Sequence, residues 1–118
     1  MTIADVKSIL NATVICCENQ LEKQVHNACG SDMMSDVLAF VKDQSVLITG
    51  LCNPQVIRTA EMMDIICICF VRGKQPDDAM TQLAREKGIV LLTTNLRMFT
   101  ACGILYESGL RGGANQCV

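Results

Sequence analysis

At 118 residues, half of them apolar and with a positive mean hydropathy, the chain is long enough to bury a real core and is too apolar for a disordered segment. Ten basic against twelve acidic residues leave a net charge of −2, with no basic stripe and few aromatics, which argues against nucleic acid as the main partner. No window approaches a membrane span, and Asp5 and Lys7 interrupt the N-terminus before a signal-peptide core can form, so a single cytoplasmic domain is expected.

In chain order, Thr2 opens a helix to about Leu10, with Ile3, Val6, Ile9 and Leu10 on one face and Thr2 and Asp5 spaced as a capping pair. Thr13–Cys17 is β-branched and reads as a strand, Glu18–Gln24 as a polar loop and Val25–Cys29 as a second strand. Ser31 or Asp32 caps a helix from Met33 to about Asp43. Its expected apolar face is Met33, Val37, Phe40 and Val41, flanked by Met34 and Leu38.

Val46-Leu47-Ile48 then forms a short apolar strand that breaks at Thr49-Gly50. Asn53 and Pro54 restart the chain as a capped helix, since Asn can take a free amide and Pro has none to satisfy. Ile65–Val71 is continuous and β-branched, the pattern of a strand covered on both faces. Arg72-Gly73-Lys74 ends it. Gln75-Pro76-Asp77 starts a helix with Ala79, Leu83 and Ala84 facing inward, and Lys87-Gly88 stops it. Ile89–Leu92 is another strand, and Thr93-Thr94-Asn95 caps a helix to about Glu107.

This cadence predicts an α/β fold: a mostly parallel central sheet of about five strands with helices packed on it, in the order α-β-β-α-β-α-β-α-β-α. Residues 1–110 form the domain, and residues 111–118, Gly-rich with Leu110 as the last core residue, a loose tail.

The eight cysteines show no Cys-x-x-Cys spacing and no secretory context, so they read as reduced, buried hydrophobes, with Cys117 incidental in the tail. No metal site and no cofactor are expected. His26 has no companion in the sequence, and no phosphate-binding Gly-rich loop ending in Lys-Ser or Lys-Thr is present.

Three parallel strands empty their carboxyl ends onto one rim, where ligands of open α/β sheets gather. Thr49, Gly50 and Asn53, Arg72, Gly73 and Lys74, and Thr93 and Thr94 therefore form the candidate site, with Asn95 and Gly30-Ser31-Asp32 nearby. Hydroxyls, free amides, one guanidinium and one ammonium suit a phosphate or carboxylate. A catalytic set is absent from the pattern.

The segments Gly30–Phe40, Thr49–Met62 and Phe70–Pro76 resemble a DRTGG domain, most specifically over Asn53–Ala60, and the similarity runs to about Leu110. That family is similar to the N-terminal domain of HPr kinase/phosphorylase. It also occurs beside CBS domains in some inorganic pyrophosphatases and in the N-terminal part of some phosphotransacetylases. The resemblance implies a regulatory, dimer-forming module without settled catalytic activity. Where the family's Asp-Arg-Thr-Gly-Gly turn falls, this chain reads Leu21–Ala28. Glu22 and Lys23 keep the charge order, but the glycines, with their access to positive φ, are missing.

The expected function is thus a non-enzymatic regulatory or interaction module. It is paired as a homodimer, with a nucleotide or phosphorylated small molecule at the strand-end rim and a protein as a further possible partner. The alternatives are a small enzyme acting on a phosphorylated substrate at the same crevice, with Asp32 as its base, and a thiol-redox or metal-binding protein.

Overall fold

The computed structural model describes residues 1–40 and 43–112. The elements are α1 (Ile3–Ile9), β1 (Thr13–Cys16), a 3₁₀ turn (Glu18–Gln20), β2 (Asn27–Gly30), α2 (Met34–Phe40), β3 (Ser45–Thr49), α3 (Pro54–Met62), β4 (Ile65–Phe70), α4 (Asp78–Lys87), β5 (Val90–Thr93) and α5 (Met98–Glu107). The order is the one expected. The sheet runs β1-β5-β4-β3-β2 and is mixed: β2 to β5 are parallel, while β1 lies antiparallel on β5.

Each parallel strand is followed by its neighbour in the same direction across the sheet. Crossovers of one hand that always step the same way must leave their helices on the same face. Accordingly α2, α3 and α4 cover one face, through Val37, Val56, Ile57, Ala60, Met80 and Ala84 against Leu47, Ile68, Phe70 and Leu91. The chain then turns to the other face, where α1 and α5 pack Ile3, Val6, Ala101 and Leu105 against Val46, Ile48, Cys69 and Leu92. The alternation along β3 follows from the period of two: Val46 and Ile48 to one side, Leu47 to the other. One ladder row, Gly30, Ile48, Cys69, Leu92 and Val14, crosses the whole sheet.

The helix ends follow the sequence closely. Thr2 Oγ1 accepts from Asp5 N–H while Asp5 accepts from Thr2 N–H, a complete capping box that holds the Asp5 carboxyl below its ordinary range. Asn53 accepts from Gln55 N–H at 2.9 Å, Asp77 accepts from Met80 N–H at 2.8 Å, and Gly88 closes α4 in the left-handed region at φ 70°.

Three inward faces or starts differ from expectation. In α2 the buried residues are Met34 and Val37, while Met33 is 61% and Leu38 42% exposed. Ser31 Oγ accepts from Met33 N–H, which keeps Met33 in the entry turn and rotates the helix by a residue. Val41 and the side chain of Phe40 lie outside the described residues. In α4, Asp77 fixes the first turn so that Met80 and Ala84 point inward and Ala79 is exposed. Helix α5 starts at Met98 rather than after Asn95, with Arg97 at its N-cap and no capping side chain.

Leu110 is buried, and Arg111 beyond it is anchored rather than loose. Its carbonyl accepts from Ala28 N–H at 2.8 Å, and its guanidinium lies 3.9 Å over the Tyr106 ring. Residues 113–118, and Cys117 with them, lie outside the described residues. The seven described cysteines are free thiols.

Candidate functional site

The turns after β3, β4 and β5 share one rim, as adjacent parallel strands require. The helices after β4 and β5 leave to opposite faces, an arrangement that can open a crevice between the two strand ends, but here that gap is laced shut. Gly73 N–H donates to Thr94 O and Arg72 N–H to Leu96 O, both at 2.8 Å, and Thr93 Oγ1 donates to Lys74 O at 2.7 Å. A Cβ on Gly73 would lie 2.9 Å from the Asn95 side-chain oxygen.

These bonds sort the eight expected site residues. Thr94 is buried and donates its hydroxyl inward to Leu10 O at 2.7 Å, so it braces the fold and does not face the rim. The Thr93 hydroxyl and the Asn53 amide are engaged in the loop and the cap, and Gly73 closes the gap. Lys74 is exposed at the rim. Thr49, Gly50 and Arg72 remain together, joined by Asp32 from the β2–α2 turn.

Asp32 Oδ1 accepts from Thr49 Oγ1 at 3.0 Å and from Gly50 N–H at 2.6 Å. The free amide that a ligand anion would use is therefore already occupied by the chain's own carboxylate. A Cβ on Gly50 would stand 2.8 Å from a terminal nitrogen of Arg72 and 3.5 Å from both carboxylate oxygens of Asp32. Only a glycine lets a guanidinium and a carboxylate converge over this stretch of backbone. Arg72 has φ 57°, the left-handed region that a branched or long side chain rarely occupies, and the Leu96 and Thr94 carbonyls hold the turn there. Among the described residues the Arg72 side chain makes no hydrogen bond or ion pair; the ion pairs are His26–Asp43 and Lys87–Glu61. The rim thus offers a free planar cation beside an acceptor, Asp32 Oδ2, that also lacks a described hydrogen-bond partner.

Cys52 stands near Lys74 and Asp77. Burial pushes its thiol up, against the pull of Lys74. Among the described residues no three His, Cys, Asp or Glu side chains converge as metal ligands.

The family model for the DRTGG domain matches residues 5–108. The chain belongs to the DRTGG domain family. A similar solved structure comprises the CBS and DRTGG domains of the regulatory region of Clostridium perfringens pyrophosphatase, complexed with the activator diadenosine tetraphosphate. It superposes with a TM-score of 0.71 at 17% identity, covering 99% of this chain and 52% of that one, so the likeness is one of fold and this chain spans about half of that structure. No curated protein sequence matches the chain.

In this DRTGG domain the glycine-free turn has a structural task. Leu21 O and Lys23 O accept from Ala4 and Ile3 N–H at 2.9 and 3.0 Å, satisfying amides in the first turn of α1. None of Leu21–Ala28 has positive φ, so this version of the turn does not need the missing glycines.

Two further features were not visible from the sequence pattern. His26 does have a companion: its Nδ1 lies 3.1 Å from Asp43 Oδ2, on the exposed strand-start edge away from the rim. A cleft of about 220 Å³ opens beside β2, lined by Ala28, Gly30, Cys102, Leu105, Tyr106 and Leu110 among others. The cue for it is the apolar run of α5, whose outer positions are as hydrophobic as its inner ones. No helix among the described residues is long and apolar enough to cross a membrane.

Proposed function

We propose that this DRTGG domain is a non-enzymatic regulatory module of the cytoplasm that works as a homodimer and senses a nucleotide or related phosphorylated small molecule at the rim over Gly50. The observation that carries the reading is Arg72, strained at φ 57° and without an ion pair among the described residues, held over Gly50 beside Asp32. A bare phosphate meets one favourable fork and one repelling carboxylate there. A nucleotide presents phosphate oxygens to Arg72 and Lys74 and a hydroxyl or amine hydrogen to Asp32 Oδ2, so both charges find partners. The Clostridium perfringens regulatory region, with its dinucleotide activator, supports a nucleotide as the first class to test.

The test is a melting titration of the full chain with inorganic phosphate, mononucleotides and dinucleoside polyphosphates. A ligand of the native state at a hundred times its Kd stabilises by about 2.7 kcal/mol, a rise of several degrees in Tm. Nucleotides are expected to raise Tm where phosphate alone does not, and Arg72→Ala to abolish the rise. No shift with any nucleotide, or a shift that survives Arg72→Ala, refutes the site.

A further inference from the structure

The outer face of α5 carries an unusual surface for an exposed helix. Of its ten residues only Glu107 is charged. Phe99 is 90% and Tyr106 58% exposed, and with Gly103 they fall at i, i+7 and i+4, which share one stripe. A Cβ on Gly103 would meet nothing within 4 Å, so the middle of the stripe is open and flat. A helix that is apolar all round belongs inside a packed assembly, and a glycine in its interior costs helix stability without any return within the monomer.

We propose that this face is where a second copy of the chain docks, α5 against α5, antiparallel about a two-fold axis near Cys102 and Gly103. The inference rests on the homodimer in the reading above and names its surface. Three features of one chain are self-complementary about that axis, as an isologous contact demands. Phe99 and Tyr106 lie at equal distances either side of it, so each Phe99 meets Tyr106 of the partner subunit. Arg97 and Glu107 are exposed, make no ion pair among the described residues, and lie five positions either side of Cys102, so each guanidinium meets the opposite carboxylate. Gly103 lets the two backbones approach at the crossing. The cleft beside Tyr106 fits the same picture. At about 220 Å³ it falls below the roughly 300–1,000 Å³ typical of small-molecule pockets, and a single aromatic ring suits it better. Phe99 of the partner subunit arrives at its mouth.

Sedimentation velocity of the full chain over a hundredfold concentration range tests this. The wild type is expected to dimerise. Phe99→Glu is expected to shift it to monomer with an unchanged circular dichroism spectrum, because the ring is exposed in the single chain. Arg97→Glu is expected to weaken the dimer at least tenfold, and adding Glu107→Arg to restore it. A dimer indifferent to all three variants overturns the α5 surface while leaving the homodimer standing. A wild-type monomer at every concentration overturns both. So does a monomer whose α5 cross-links to its own residues 113–118, which assigns the face to the C-terminal segment. Nucleotide titration of the Phe99→Glu monomer separates loss of this surface from failure of the rim.

Discussion

Asp32 Oδ1 lies 2.6 Å from the Gly50 amide nitrogen and 3.0 Å from the Thr49 hydroxyl, so one carboxylate oxygen ties the entry of α2 to the end of β3. Gly50 is buried, and its amide has the carboxylate as its acceptor. Removing that acceptor leaves a desolvated donor unmatched, which costs about 1–3 kcal/mol. Asp32→Ala is expected to lower unfolding stability in urea by that amount. Asp32→Asn, which keeps an acceptor oxygen, is expected to cost less. An Ala variant no weaker than one at an exposed, unbonded position would show that water replaces the carboxylate freely.

Gly50→Ala addresses the other side of the same backbone. The new Cβ meets the far end of Arg72, a flexible group that can swing away, and only ordinary contacts from Asp32. The variant is expected to change stability by less than about 1 kcal/mol, because residue 50 lies outside the positive-φ region and an alanine there loses less chain entropy on folding. It should abolish the nucleotide-induced rise in Tm, because the guanidinium no longer lies over residue 50. Arg72→Lys should lose most of the binding as well, since an ammonium lacks the planar fork. Wild-type affinity in Gly50→Ala would mean that Arg72 does not act from this position.

The strands and caps were legible because they depend on local chemistry. Asn53, Pro54, Asp77 and Gly88 each act within a few residues of themselves, and the short, β-branched run Ile65–Val71 carries its own strand signal, of which Ile65–Phe70 forms β4. The errors arose where a contact from far along the chain decides. Thr94 looks like a helix cap until Leu10, more than eighty residues earlier, presents a carbonyl to its hydroxyl. The inward faces of α2 and α4 turned on which side chain captured which amide, a choice of one residue that rotates a helix by roughly 100°. At the site, the sequence located the rim but not the division of labour on it. That Asp32 fills the Gly50 amide and leaves Arg72 free is a property of three turns meeting in space.

The edge strand β2 and α5 meet at one crowded point. Gly30 sits in the ladder row opposite Ile48, and a Cβ there would run into the sulfur of Cys102. Gly30→Ala is expected to destabilise by about 1–3 kcal/mol through overpacking. Cys102→Ala removes the obstructing atom, so the double variant should recover part of the loss. The coupling energy from the double-mutant cycle should fall between about 0.5 and 3 kcal/mol. Strict additivity in urea denaturation would show that the loss comes from backbone conformation at residue 30 and not from the sulfur.

The buried thiols give the domain an alkaline limit. Burial pushes Cys69 up from 9.0 to about 12 and holds Cys67 well above its ordinary value; Cys16 rises to about 11, chiefly by burial and then by the neighbouring Cys17. With folded values above unfolded ones, the stabilisation is complete below pH 9. It is lost as pH rises from there, because the unfolded chain releases thiol protons that the folded chain keeps. Each fully shifted thiol removes about 1.4 kcal/mol per pH unit over that interval. Urea midpoints measured from pH 8 to 11 are therefore expected to fall steeply above 9. Cys69→Ala is expected to start lower at pH 8, through the small cavity it leaves, and then to fall less steeply by one thiol's contribution. A thiol reagent at pH 8 should label Cys67 and Cys69 only as fast as the domain unfolds. Rapid labelling of either in the native protein, or an alkaline limb unchanged by Cys69→Ala, would mean that the sheet opens around them without global unfolding.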